Sequence, residues 1–166
     1  MKNLKHHILI VILLLTLGCR AKYSVENYVT GDATNFQVNL FKNNAAVVEP
    51  GLHQNFTKTL QDVIRDHTGL VLVNSNADLL YEGEIVEYRI SPTTPTTENI
   101  TAMNRLIITV NVHFINKNKA ELQKQFSSFY DYPRDQQLVG DLKATVHEEI
   151  FHRLTQEILF TSLDNW

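Results

Sequence analysis

The sequence predicts an α+β domain in two layers, a mixed four-stranded β-sheet with two α-helices packed on one face. Three observations lead there. Leu106, Ile108, Val110, Val112 and Phe114 keep an unbroken period of two, the mark of a strand with one buried face. Two further segments carry apolar residues at helical spacing. These segments fall in the order β, α, at least three β, α, which lets both helices cover one side of a single sheet.

Residues 36–41, FQVNLF, alternate apolar and polar and form the first strand, followed by a loop, NNAAVVEPG. Pro50 suits the first turn of a helix, where its missing N–H costs nothing, and Leu52, Phe56, Leu60, Val63 and Ile64 make one helical stripe. Gly69 ends it. The run LVLV and the segment DLLYEGEIVEYRI read as β. Leu79, Tyr81, Gly83 and Ile85 share one face whereas Val86, Tyr88 and Ile90 share the other, which predicts a bulge or strong twist near Ile85 and Val86. A turn at NKNK joins the strand of Leu106 to another over 122–132, a long hairpin. A helix over about 139–162 closes the chain, with Leu142, Val146, Ile150, Leu154 and Ile158 stepping by four and Phe151 and Leu159 widening the stripe.

Ahead of this domain lies a different kind of segment. Lys2 and Lys5 precede a short apolar run over 8–17 that ends in Gly18-Cys19, too short for the ~20 residues a membrane helix needs. It reads as an export signal. Thr16-Leu17-Gly18-Cys19 resembles a lipobox, in which cleavage between Gly18 and Cys19 exposes a cysteine for acylation; Thr16 stands where Leu is commoner. A buried thiol does not belong one residue past a leader, and a catalytic thiol has no general base beside it, only Arg20 and Lys22. The chain therefore divides into a signal over 1–18, a lipidated tether over 19–34 and a domain over 35–166. Arg20 and Lys22 provide no acidic signal for export to the outer leaflet, so the anchor is expected on the inner, periplasmic side.

Removing 18 of 166 residues leaves 148, one domain able to bury ~70% of its unfolded surface. Cys19 is the only cysteine, so no internal disulfide supports the core. Losing Lys2 and Lys5 leaves 13 Lys and Arg against 18 Asp and Glu, a net charge of −5, which disfavours nucleic acid as a partner.

Motifs for chemistry are missing. His147 and His152 in HEEIFH are five apart and diverge by ~140° around a helix, so they cannot share a metal and read as helix-surface residues. His53, His67 and His113 are scattered, and the sequence has no phosphate-binding glycine loop or nucleophile elbow. Glu82 and Glu84 face one way, as solvated edge residues do. The reading is a protein without catalytic residues, metal or cofactor.

Two features point to a binding surface. Gln37, Asn39, Thr109, Asn111, His113, Gln123, Gln125 and Ser127, with Ile107, Ile115 and Phe129, fall on the face opposite the helices, where charge is nearly absent. A face that another protein encloses avoids unpaired ions, although a water-facing sheet accounts for the same residues. Strand directions also gather Arg89, Arg105 and Arg134 at one end, beside the loop SPTTPTTENITA over 91–102, where they either hold phosphates or pair with Glu87, Glu98 or Asp131.

The ordered set Asn43-Asn44-Ala45, Pro50, Phe56-Thr57, Asp78-Leu79, Glu82-Gly83-Glu84-Ile85, Tyr88, Pro92, Asn104-Arg105-Leu106, Tyr130-Asp131-Tyr132 and Asn165-Trp166 resembles the LptE-type lipopolysaccharide-assembly lipoproteins of the Bacteroidota. The tether departs from their pattern, since Tyr23-Ser24 continues Val25-Glu26-Asn27-Tyr28 and the first glycine is Gly31. The resemblance implies an outer-membrane lipoprotein, acylated with palmitate-type chains, that plugs an LptD-like β-barrel and helps deliver lipopolysaccharide to the surface. A free-standing periplasmic lipid carrier is the alternative; it needs an internal apolar cavity.

Overall fold

The computed structural model describes residues 28, 30–93, 102–119 and 121–163. The leader, Cys19, most of the tether, the centre of the 91–102 loop with Pro95 and Glu98, and Asn165-Trp166 lie outside the described residues.

The helix stripes and strand alternation become a two-layer α+β domain. The strands are β1 (Asn35–Val38), β2 (Lys42–Asn43), β3 (Val71–Leu72), β4 (Leu79–Pro92), β5 (Met103–Asn116) and β6 (Glu121–Pro133). The helices are α1 (Leu52–Thr68) and α2 (Gly140–Leu163). The sheet runs β3-β1-β4-β5-β6, with β2 also on β4. It is mixed: β1, β2 and β3 pair in parallel, and β4, β5 and β6 antiparallel. The four expected strands are thus joined by two of two residues each, β2 and β3. β3 falls within the run LVLV already read as β, whereas β2 lies in the stretch after the first strand, where no strand was expected.

The expected bulge is present, between Ile85 and Glu87 in the β4–β5 ladder. It turns Tyr88 back to the core face, opposite Ile108, where simple alternation would have put it outside. Pro50 is not in the helix: α1 starts at Leu52 with Gly51 as its cap, in a left-handed conformation open to glycine. Gly69 closes α1, its N–H donating to the Arg65 carbonyl at 3.2 Å.

Apolar residues of both layers meet in one core, with Phe36, Phe56, Tyr81, Ile108, Ile150 and Leu154 fully buried. The link from β1 to β2 closes it. Phe41 packs edge-on against Phe56, centroids 5.0 Å apart, and Phe56 likewise against Phe151 at 5.4 Å. The Phe41 N–H donates to Thr57 Oγ1 at 3.1 Å, and Thr57 in turn donates to the His53 carbonyl, pinning this link to α1. Residues just before β1 are also attached: Thr34 donates its N–H and hydroxyl to Asp78, holding that carboxyl below its usual range, and Tyr28 packs on the core.

His147 is half-buried, not simply solvent-facing on the helix. Its ring stacks on Phe151 at 5.8 Å and its Nε2 lies 3.1 Å from Tyr88 Oη; His152 is exposed. Burial lowers the His147 pKa from 6.5 and pushes the Tyr88 hydroxyl up to about 12. A histidine depressed in the native state binds its proton more weakly there than in the unfolded chain. Its contribution to stability is therefore complete above 6.5 and is lost as pH falls through that value toward the native pKa. Melting followed between about pH 7.5 and pH 5 is expected to show this loss, and His147→Gln to flatten the slope. An unchanged slope in the variant would assign the acid sensitivity to another group.

Candidate functional site

Both helices cover the face of Leu106 to Phe114, so the other face of the sheet is open. Register assigns its rows. Across β4, β5 and β6 in turn they run Glu82, His113 and Gln123; Glu84, Asn111 and Gln125; Glu87, Thr109 and Ser127; Arg89, Ile107 and Phe129; and Ser91, Arg105 and Asp131. The expected residues all lie here, Gln37 on β1 and Asn39 just past its end included. Charge, however, is not nearly absent. β4 supplies Glu82, Glu84, Glu87 and Arg89, residues that a reading of β1, β5 and β6 alone passes over.

These charges are satisfied within the face. Asn39 Nδ2 donates to Glu82 at 2.9 Å, and Asn44 Nδ2 to Glu84. His113 sits between Glu82 and Glu121, at 3.3 and 3.4 Å. Arg89 Nε donates to Glu87 at 2.7 Å, and Thr109 Oγ1 donates to the same carboxyl at 2.8 Å; together they hold Glu87 below the usual carboxylate range. Arg105 grips Asp131 with Nε and Nη2, at 2.7 and 2.8 Å, lowering the pKa of that carboxyl, and lies 3.7 Å over the Phe129 ring. A row of Asn, Glu and His side chains also lines a shallow hollow of about 330 Å³ beside Gly83.

The three arginines share one end of the sheet. Arg89 and Arg105 occupy neighbouring rows of the open face, and the backbone of Arg134, just past β6, donates to the Ala102 carbonyl. Arg134 is exposed and has no acidic partner among the described residues. The pairings with Glu87 and Asp131 could be read from the sequence as alternatives; Glu98 lies outside the described residues. So do Gly18 and Cys19. Among the described residues, no three His, Cys, Asp or Glu side chains converge as metal ligands, and no helix is long and apolar enough to cross a membrane.

The molecule is thus a two-layer α+β domain that keeps one hydrogen-bonded sheet face uncovered. The chain belongs to the LptE family, described as lipopolysaccharide-assembly, whose model matches residues 33–161. Solved structures of the same fold include a protein from Xanthomonas campestris (TM-score 0.56, 8% identity, 84% of this chain and 87% of that one). A hypothetical protein from Chlamydia trachomatis matches with TM-score 0.54 and 11% identity, over 80% of this chain and 99% of the other. A minor lipoprotein from Acinetobacter baumannii matches with TM-score 0.50 and 12% identity, over 80% and 94%. At these identities the likeness is one of fold. No curated protein matches the chain.

Proposed function

We propose that the chain is a non-enzymatic, acyl-anchored subunit of a lipopolysaccharide translocon, of the Bacteroidota branch of the family. In this reading the leader over 1–18 is removed between Gly18 and Cys19, and Cys19 carries the acyl chains. Residues 19–34 tether a domain over 35–166 to the periplasmic side of the outer membrane. There the domain plugs an LptD-like β-barrel, assists its assembly and helps pass lipopolysaccharide to the surface.

The observation that carries this reading is the family match over residues 33–161. The open face supports it. A partner can enclose this surface without stranding a carboxylate, because Glu82, Glu84, Glu87 and Asp131 already accept hydrogen bonds from side chains beside them. A lipid carrier instead needs an apolar interior, and the hollow by Gly83 is open and lined mainly by Asn, Glu, His and Gln.

Depleting the protein from its native cells tests the role. Surface-labelled lipopolysaccharide is expected to fall while total lipopolysaccharide persists inside; unaltered surface lipopolysaccharide would refute it. Arg89, Arg105 and Arg134 are the proposed contacts to lipid phosphates or to the barrel. A guanidinium has five donors, of which the Asp131 pair uses two on Arg105. Replacing all three by Ala is expected to weaken lipopolysaccharide retention on purified protein roughly tenfold or more. Unchanged retention would remove the arginines from the lipid site.

A further inference from the structure

The two edges of the sheet differ. One ends in β3, two residues long. The other is β6, 13 residues long and paired to β5 without a register shift. Exposed edges are ordinarily blunted by brevity, bulges, prolines or lysines, because a free row of N–H and C=O groups templates another strand. β6 has Lys124 and a terminal Pro133 and otherwise none of these devices.

A contact from α2 shows which groups point outward. Arg153 Nη1 donates to the Phe129 carbonyl at 2.8 Å, so the backbone of Phe129 faces away from β5. Backbone direction alternates along a strand, so the N–H and C=O groups of Gln123, Gln125 and Ser127 face outward as well. Among the described residues nothing pairs with them. Phe160, 51% exposed, lies seven residues beyond Arg153 and so on the same side of α2, flanking this edge.

We propose that the outer edge of β6 is a strand-addition site for an extended strand of the β-barrel partner. The row chemistry selects the occupant. Gln123, Gln125 and Ser127 lie on the open face and Lys124, Phe126 and Ser128 on the helix face, so an added strand meets an uncharged polar row on one side. On the other it meets the exposed Lys124 and half-buried Ser128 on either side of the buried Phe126, with the exposed ring of Phe160 beyond them. A strand with uncharged polar residues toward the open face and an apolar residue toward Phe160 fits, and that alternation is the dyad pattern of a barrel strand before closure. A second copy of this chain does not fit. α2 packs chiefly over β6, so antiparallel β6–β6 pairing would bring two α2 axes to roughly one strand spacing, ~4.8 Å, where packed helices need ~8–10 Å.

This proposal rests on the barrel reading and is tested in the full, lipidated chain in its native membrane. A photo-crosslinking amino acid is placed singly at 123, 125 and 127. The expected crosslinks map to one segment of the barrel protein and step along it in strand register. Gln125→Pro removes an outward N–H without touching the β5 ladder, and is expected to lower barrel recovery roughly tenfold where Gln125→Thr does not, with both variants melting cooperatively. Crosslinks between copies of this chain, scattered crosslinks, or undiminished barrel recovery with Gln125→Pro would overturn the edge site and leave the barrel reading standing. If Gln125→Pro fails to fold, the crosslink register decides alone. Failure of the wild-type chain to recover a barrel would overturn both.

Discussion

Gly83→Ala is expected to destabilise the fold by about 3 kcal/mol or more and to leave little soluble protein. Gly83 faces the core opposite Val112, at the point where the chain between β1 and β2 arches over β4. A methyl group there would sit 2.1 Å from the Asn111 carbonyl oxygen and 2.8 Å from Phe41 Cε1. The first of these atoms is backbone of the central ladder and cannot swing aside. The second belongs to the ring that closes the core on Phe56. Relief requires opening the β4–β5 pair or expelling Phe41, and a domain with ~5–15 kcal/mol of stability tolerates either poorly. Denaturant unfolding measures the loss. A midpoint within experimental error of wild type would show that this crossing is looser than the structure has it. Adding Phe41→Ala should not restore stability, because the carbonyl clash remains.

Cys19→Ser is expected to move the protein from the membrane fraction to the soluble fraction and to abolish its contribution to surface lipopolysaccharide. Burying acyl chains is worth ~0.8 kcal/mol per methylene, so two or three chains hold a protein where one does not. The chain's net charge is negative, which gives no general attraction to anionic lipid, and none of the described helices is long and apolar enough to cross a membrane. Fractionation of cells that express the variant at wild-type level reads the outcome. Retention of the variant in membranes would mean that protein contacts, not lipid, hold it there.

Much of the fold was legible because each element buries a continuous stripe. The alternation of Leu106 to Phe114 and the four-residue steps from Leu142 to Ile158 depend only on which side faces the core, and both appear as read. The bulge was legible too, since a strand whose apolar residues change parity must gain a residue. What stayed hidden was tertiary. The acidic row of β4 joins the open face only once its register with β5 is set, and that register is a property of the pair, not of either strand. β2, two residues long, pairs with β4 and has no pattern of its own, whereas β3 falls in the run LVLV that was read as β. His147 looked solvent-facing beside His152 because nothing local announces Tyr88, 59 residues away, as its partner. At the candidate site, residue types were readable and pairings were not: Arg105 with Asp131 and Arg89 with Glu87 were two of several options.

The most direct test is affinity recovery of the native protein from detergent-solubilised outer membranes, with intact mass analysis of everything retained. We predict one large β-barrel protein in stoichiometric amount, together with a polypeptide that begins at Cys19 and carries acyl chains. Recovery of a monomer with its leader intact and its sulfur unmodified would contradict the account.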